Sequence, residues 1–160
     1  MSVGWQDIAF QIEAPLAEEV KAAWSWLFPE HWTPLICSMV GGIFLLTEDG
    51  HVHWLDTGTG LIEQVASSKE QFEDILCSDS LLVEEWFLPS LVESLQDAGK
   101  NATVGQCYAF TVLPVFAEGK YEPRNMIVVP IREQFVGVAD IHRQLNAIPD
   151  GAAVHVKVED

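Results

Sequence analysis

Between positions 42 and 66 the sequence holds three short apolar runs, at 43–46, 52–55 and 61–65, cut by Glu48-Asp49-Gly50 and by Thr57-Gly58-Thr59-Gly60. Asp-Gly and Gly-rich tetrads let the backbone enter left-handed conformations at little steric cost, so each break reads as a tight turn. The segment predicts a meander of three antiparallel strands. Such a sheet needs apolar cover, and the flanking sequence supplies amphipathic helices.

Upstream, residues 15–28 place Leu16, Val20, Ala23, Trp24 and Leu27 on one helical stripe. Downstream, Ser67-Ser68-Lys69-Glu70 reads as a capping box, with Ser67 as N-cap and Glu70 reaching back to the free amides. Phe72, Ile75 and Leu76 then share one face, and Glu70, Glu73 and Asp74 lie largely on others. A second helix from about Asp79 turns Leu81, Leu82 and Trp86 inward and Glu84 and Glu85 outward. Pro89 lacks an amide hydrogen and disfavours helical geometry at Leu88, so it starts a third helix to Asp97, closed by Gly99 as a left-handed C-cap. Strands are expected at 107–113, 126–131 and 153–158, with a short helix at 138–147 before a Pro149-Asp150-Gly151 turn. Strands that cluster without strictly alternating with helices indicate an α+β fold. The expectation is one domain over residues 1–160: an antiparallel sheet with a β-meander and several amphipathic helices packed on it, its first 40 residues a helical segment.

The chain carries 24 acidic and 8 basic residues, a formal charge of −16, yet 49% of its residues are apolar. That much apolar content, with six Trp and eight Phe, favours folding over disorder and leaves the charge on a surface. A surface this negative repels nucleic acid and anionic membranes and attracts basic partners over about 8 Å at physiological salt. The charge is uneven. Residues 63–97 hold nine acids and one base, whereas residues 98–160 hold seven acids and six bases.

Cys37, Cys77 and Cys107 are odd in number and widely spaced, which suits reduced thiols better than a disulfide framework. No basic stretch followed by an apolar one opens the sequence, and the longest apolar run, 35–46, falls short of the roughly 18–20 residues of a membrane span. Cytoplasmic residence is the expectation.

Candidate chemistry is sparse. Asp56-Thr57-Gly58 matches the aspartic-protease triplet, but that chemistry needs two carboxylates sharing a proton, and a single copy followed by Thr59-Gly60 suits a hairpin turn. His51 and His53 project to the same face of a strand, as metal ligands can, with Asp56 on the other face and no local cysteine. A small metal-dependent hydrolase using these three residues is the rival reading. Cys107 with His142 as base has no supporting spacing; His142 and His155 read as surface or helix-end residues. Trp24 lies on the apolar stripe, whereas Trp26 does not and is the better surface candidate. No catalytic residue, metal or cofactor is implied.

Two stretches resemble a known family. The first is His53-Trp54-Leu55-Asp56-Thr57-Gly58-Thr59-Gly60 with the Ser68-Lys69-Glu70-Gln71-Phe72 helix start. The second runs from Trp86-Phe87-Leu88-Pro89 through Gly105-Gln106-Cys107-Tyr108 to Tyr121-Glu122-Pro123-Arg124-Asn125, closing with Asp140-Ile141-His142 and Pro149-Asp150-Gly151. In order and spacing they resemble the C-terminal domain of type VI secretion immunity proteins, a former domain of unknown function often found after a GAD-like domain. The resemblance covers about residues 41–158, and the 40 residues before it are too few for a full GAD-like domain. It implies a cytoplasmic, non-enzymatic bacterial protein that binds and neutralises a cognate toxin with a basic surface, in several cases a nuclease. For such a partner the densest acidic block, Glu70, Glu73, Asp74, Glu84 and Glu85, supplies the expected contacts. A scaffold or regulator binding another basic protein is a further alternative.

Overall fold

The computed structural model describes residues 3–148. A short helix α1 (Trp5–Ile8) leads into a two-residue strand β1 (Ala9–Phe10), then helix α2 (Ala14–Ala23) and strand β2 (Trp32–Ser38). The meander follows as β3 (Gly42–Thr47), β4 (Val52–Asp56) and β5 (Leu61–Ala66). Three consecutive helices, α3 (Lys69–Ser78), α4 (Ser80–Phe87) and α5 (Pro89–Asp97), precede β6 (Gln106–Phe110). A 3-10 turn (Pro123–Asn125), β7 (Met126–Pro130), α6 (Ile131–Phe135) and α7 (Ala139–Leu145) complete the described chain. Strands β1 to β5 form an antiparallel sheet in sequence order, and β6 and β7 form a separate antiparallel pair.

The meander folds as its turn chemistry dictates. Gly50 takes φ +87° in the first turn, and Gly60 takes φ +74° in the second, where its amide donates to the Asp56 carbonyl at 2.8 Å. Across β3 and β4, Phe44 faces Trp54 and Gly42 faces Asp56. Residues 1–40 are not solely helical. Trp32–Ser38 is the second strand of the sheet, with Pro34 beside a bulge and beyond the reach of β1, where a missing amide is tolerated. The expected strand at 153–158 and the Pro149-Asp150-Gly151 turn lie outside the described residues.

Alternation along β3 and β4 splits the core between the two sheet faces. One face carries Phe44 and Val52 against Phe72, Trp86, Phe87, Val92 and Leu95 of α3 to α5. The opposite face carries Ile43, Leu45 and Leu55 against Val20 and Trp24, Phe135 and Ala139. The result is a single compact α+β domain with helices on both faces of the sheet. The β6–β7 pair joins it where the Tyr108 amide donates to the Met39 carbonyl at 2.8 Å.

Local signals set the helix ends, with two shifts from expectation. The N-cap of α3 is Ser68, not Ser67. Its hydroxyl accepts from the Gln71 amide at 3.0 Å, while Gln71 Oε1 accepts from the Ser67 amide at 2.7 Å. Leu81 is 82% exposed; Trp86 and Phe87 make the buried contact of α4 instead. Between α4 and α5, Leu88 adopts φ +49°, a left-handed corner from which Pro89 begins the next helix. Helix α5 ends in a Schellman arrangement, with Lys100 and Gly99 amides donating to the Leu95 and Gln96 carbonyls at 2.9 Å each.

Phe44 ties the sheet to the acidic helices. It is fully buried, and its ring lies 4.9 Å from Phe72, 5.2 Å from Trp86, 5.3 Å from Phe87 and 6.1 Å from Trp54, centroid to centroid. Removing it leaves a cavity among four rings that cannot all close in. Phe44→Ala is expected to lower unfolding free energy by about 3–5 kcal/mol, measured by urea denaturation followed by tryptophan fluorescence.

Candidate functional site

The turn after β4 is fastened by buried polar groups. Thr57 donates from its hydroxyl to the Gly41 carbonyl at 2.6 Å and accepts from Gln134 Nε2 at 2.9 Å. The Thr57 carbonyl accepts from His142 Nε2 at 2.7 Å, and Gly58 donates its amide to Asp56 Oδ1 at 2.9 Å. Asp56-Thr57-Gly58 is therefore a turn, as its composition suggests, and Thr57 is a structural anchor. His142 is a correction to the surface reading: it is buried, 5.7 Å from the Trp24 ring, and desolvation lowers its pKa. Gly60 permits this, since a Cβ there would lie 2.5 Å from His142 Nδ1.

Beside this turn, Trp54 and Asp56 project from β4 into a cavity of about 300 Å³. Ser38, Val40, Gly42, Glu85, Trp86, Leu88 and Tyr121 complete its wall. Tyr121 is brought there by the loop between β6 and β7, which Asn125 clamps by donating to the Val112 and Lys120 carbonyls at 3.0 and 2.8 Å. Burial raises the pKa of Asp56, and burial with the nearby Asp56 charge pushes the Tyr121 phenol up to about 12. Three segments far apart in sequence thus meet at one cavity.

A second concavity runs along α1 and α3. Trp5, Phe10, Ile36, Leu76 and Cys77 line one part of it with Glu73, and Trp5, Leu76, Cys77 and Val83 line the adjoining part with Glu84. Trp5 is 45% exposed and rests edge-on against Phe87 at 5.2 Å. Of the five acids expected to bind a partner, Glu73 and Glu84 border this groove, Glu85 borders the aromatic cavity, and Glu70 and Asp74 lie exposed on α3. Glu84 also serves the fold, because its Oε1 accepts from the Ser90 amide at 3.2 Å in the first turn of α5. Trp5, Trp54, Trp86 and Tyr121 escaped the sequence reading as site residues. For Trp54 the signal was present in its alternation with Asp56 on one strand face.

The other candidates separate. Trp26 is half-buried and stacked on Trp24 at 6.0 Å, with its indole nitrogen enclosed, so it is not a free recognition surface. His51 pairs with Asp49 at 3.2 Å, whereas His53 packs against Phe28 with its pKa lowered by burial. Among the described residues no group of three or more His, Cys, Asp or Glu is placed to hold a metal ion. Cys37 and Cys107 are buried, and desolvation raises both thiols, Cys107 to about 12; Cys77 is exposed. Among the described residues no helix is long and apolar enough to cross a membrane.

By fold, the protein is a single-domain α+β protein with its acidic helices on one side of an antiparallel sheet. Comparison with protein-family models finds no match, and comparison with curated proteins finds no significantly similar sequence.

Two outcomes follow from the burial pattern. Iodoacetamide should label Cys77 alone in the native protein and all three cysteines in denaturant, read as one adduct against three by intact mass. His142 should confer acid sensitivity. The unfolded chain protonates this ring near its ordinary 6.5, whereas the folded chain resists until lower pH. The stability contributed by the neutral ring is therefore full above that value and lost as pH falls below it. Asp56, raised above its ordinary 3.8, acts oppositely at lower pH, and His53 acts in the same direction as His142. The stability gap between wild type and His142→Gln should shrink between about pH 7.5 and 5.5 in urea titrations, isolating the share of His142.

Proposed function

We propose that the protein is a non-enzymatic inhibitor that binds a toxin with a basic surface, acting in the bacterial cytoplasm as an immunity protein of the type VI secretion kind. A nuclease toxin suits this reading, because a surface that engages nucleic acid is itself basic. The observation that carries the reading is the groove along α1 and α3. An exposed tryptophan lies on its apolar floor, and Glu73 and Glu84 border it within the most acidic stretch of the chain. Buried aromatic anchors supply most of the affinity at protein interfaces, and surrounding charge governs encounter and partner choice. The five acids support a contact role as a set: isolated surface ion pairs contribute about 1 kcal/mol or less, whereas a block of one sign steers association.

The test is co-expression and binding with the candidate toxin encoded beside this gene. The triple variant Glu70→Lys, Glu73→Lys, Asp74→Lys should slow association about tenfold or more at low salt and flatten its salt dependence. Trp5→Ala should mainly speed dissociation, as anchors do. Surface plasmon resonance at two ionic strengths separates the two effects. Binding and protection unaltered in both variants would rule out this face.

A further inference from the structure

The groove along α1 and α3 selects the secondary structure of what fills it. Its two adjoining parts measure about 780 and 410 Å³, the size range of pockets that take whole molecules, so it accepts a row of side chains and not one anchor. Ile36 stands opposite Phe44 across β2 and β3 and so faces the α3–α5 side of the sheet, and with Phe10 it floors one end of the groove. Trp5 and Leu76 border both parts, and Val83 lines the far end. The floor is an apolar strip from the sheet edge to α4.

Main-chain pairing is scarce along this strip. A strand arriving at this side of the sheet needs a free ladder, and β1, the outermost strand, is two residues long. Beyond β1 the edge of β2 is blunted: Pro34 has no amide to donate, and the Leu35 carbonyl accepts from Gln11 Nε2 at 3.3 Å. An extended segment laid in the groove would therefore bury amides and carbonyls without partners, whereas a helix pairs its own. An amphipathic helix presents apolar side chains at i, i+3, i+4 and i+7, the pattern that such a strip receives.

Charge sets the flanks. Glu73, Asp79 and Glu84 stand along the rim, and among the described residues no Lys, Arg or His lines either part. Glu73 lies 3.9 Å from Lys69, but both side chains are more than half exposed, where such a pair contributes little. An anionic occupant would find no counter-charge.

We propose that the groove is the seat of one amphipathic helix of the toxin, its apolar stripe on Trp5, Ile36, Leu76 and Val83 and its flanking Lys or Arg side chains against Glu73 and Glu84. Its identity rests on the reading of the partner as a basic toxin, and it specifies which part of that toxin is recognised.

Cys77 lines both parts of the groove and is the exposed cysteine of the three, so it can carry a probe. Native protein labelled there with benzophenone-maleimide is irradiated with the toxin encoded beside this gene, and the adduct is mapped by mass spectrometry. It should fall in a toxin segment with apolar residues at i, i+3 or i+4 and i+7, flanked by Lys or Arg. Where the label blocks the complex, hydrogen exchange of the toxin with and without unlabelled protein locates the segment instead. A synthetic peptide of that segment should compete with the toxin and gain helicity by circular dichroism on binding. Cys77→Trp, which fills the groove, should weaken the peptide about tenfold or more, whereas Cys77→Ser leaves it unchanged. Urea midpoints confirm that both variants fold. An adduct in an extended segment, or a peptide that fails to compete or to gain helicity, would overturn the helix and leave the groove as the binding face. An adduct joining two copies of this chain would overturn it in favour of self-association. A toxin complex undiminished by Cys77→Trp and without a Cys77 adduct removes the groove as its seat, while the inhibitor reading stands. No complex with the toxin in any form would sink that reading and the helix together.

Discussion

The contact on which the rest of the molecule depends is the ring cluster around Phe44. Helices α3 and α4 carry the densest charge in the chain, and their acids repel one another. For exposed charges about 8 Å apart in water, each pair costs roughly 0.5 kcal/mol, less with salt. Each aromatic pairing contributes about 0.5–1.5 kcal/mol beyond its buried area, and Phe44 makes four of them. Packing therefore outweighs repulsion, and the acidic face is held against the sheet. The same rings, Trp54 and Trp86, also line the cavity beside β4, so the helix attachment and that cavity share one set of side chains.

The second constraint is polar. A single threonine, Thr57, satisfies the Gly41 carbonyl, the Gln134 amide and the His142 ring at the end of the meander. Gln134 and His142 come from α6 and α7, on the far side of the sheet from α3 to α5. The turn that fixes the direction of Asp56 is thereby braced from behind. Buried networks of this kind stabilise only when every member is paired, which makes the location of Asp56 stringent.

What could be read in advance follows the range of the forces involved. The meander and the breaks around Pro89 and Gly99 were legible, because turns and caps are decided within four or five residues. Strand β2 was not. Pro34 argues against a strand unless the bulge and short neighbour that excuse it are already known. Leu81 and His142 were misplaced for the same reason, since which side of a helix is buried depends on where its partner stands. At the site, the acidic residues were visible by composition, but the aromatic floor and walls come from Trp5, Trp54, Trp86 and Tyr121, which only tertiary folding brings to the two concavities.

Among the described residues strand β5 pairs with β4 alone, and the outer edge of its six residues has no strand beside it. Such an edge is a template for another copy of itself, and Leu61, 69% exposed, does nothing to discourage it. Glu63 and a molecular charge of −16 do, because two copies approaching along this edge would bring like charge against like. Acidity thus also opposes the addition of a second copy along this edge, whatever it attracts elsewhere.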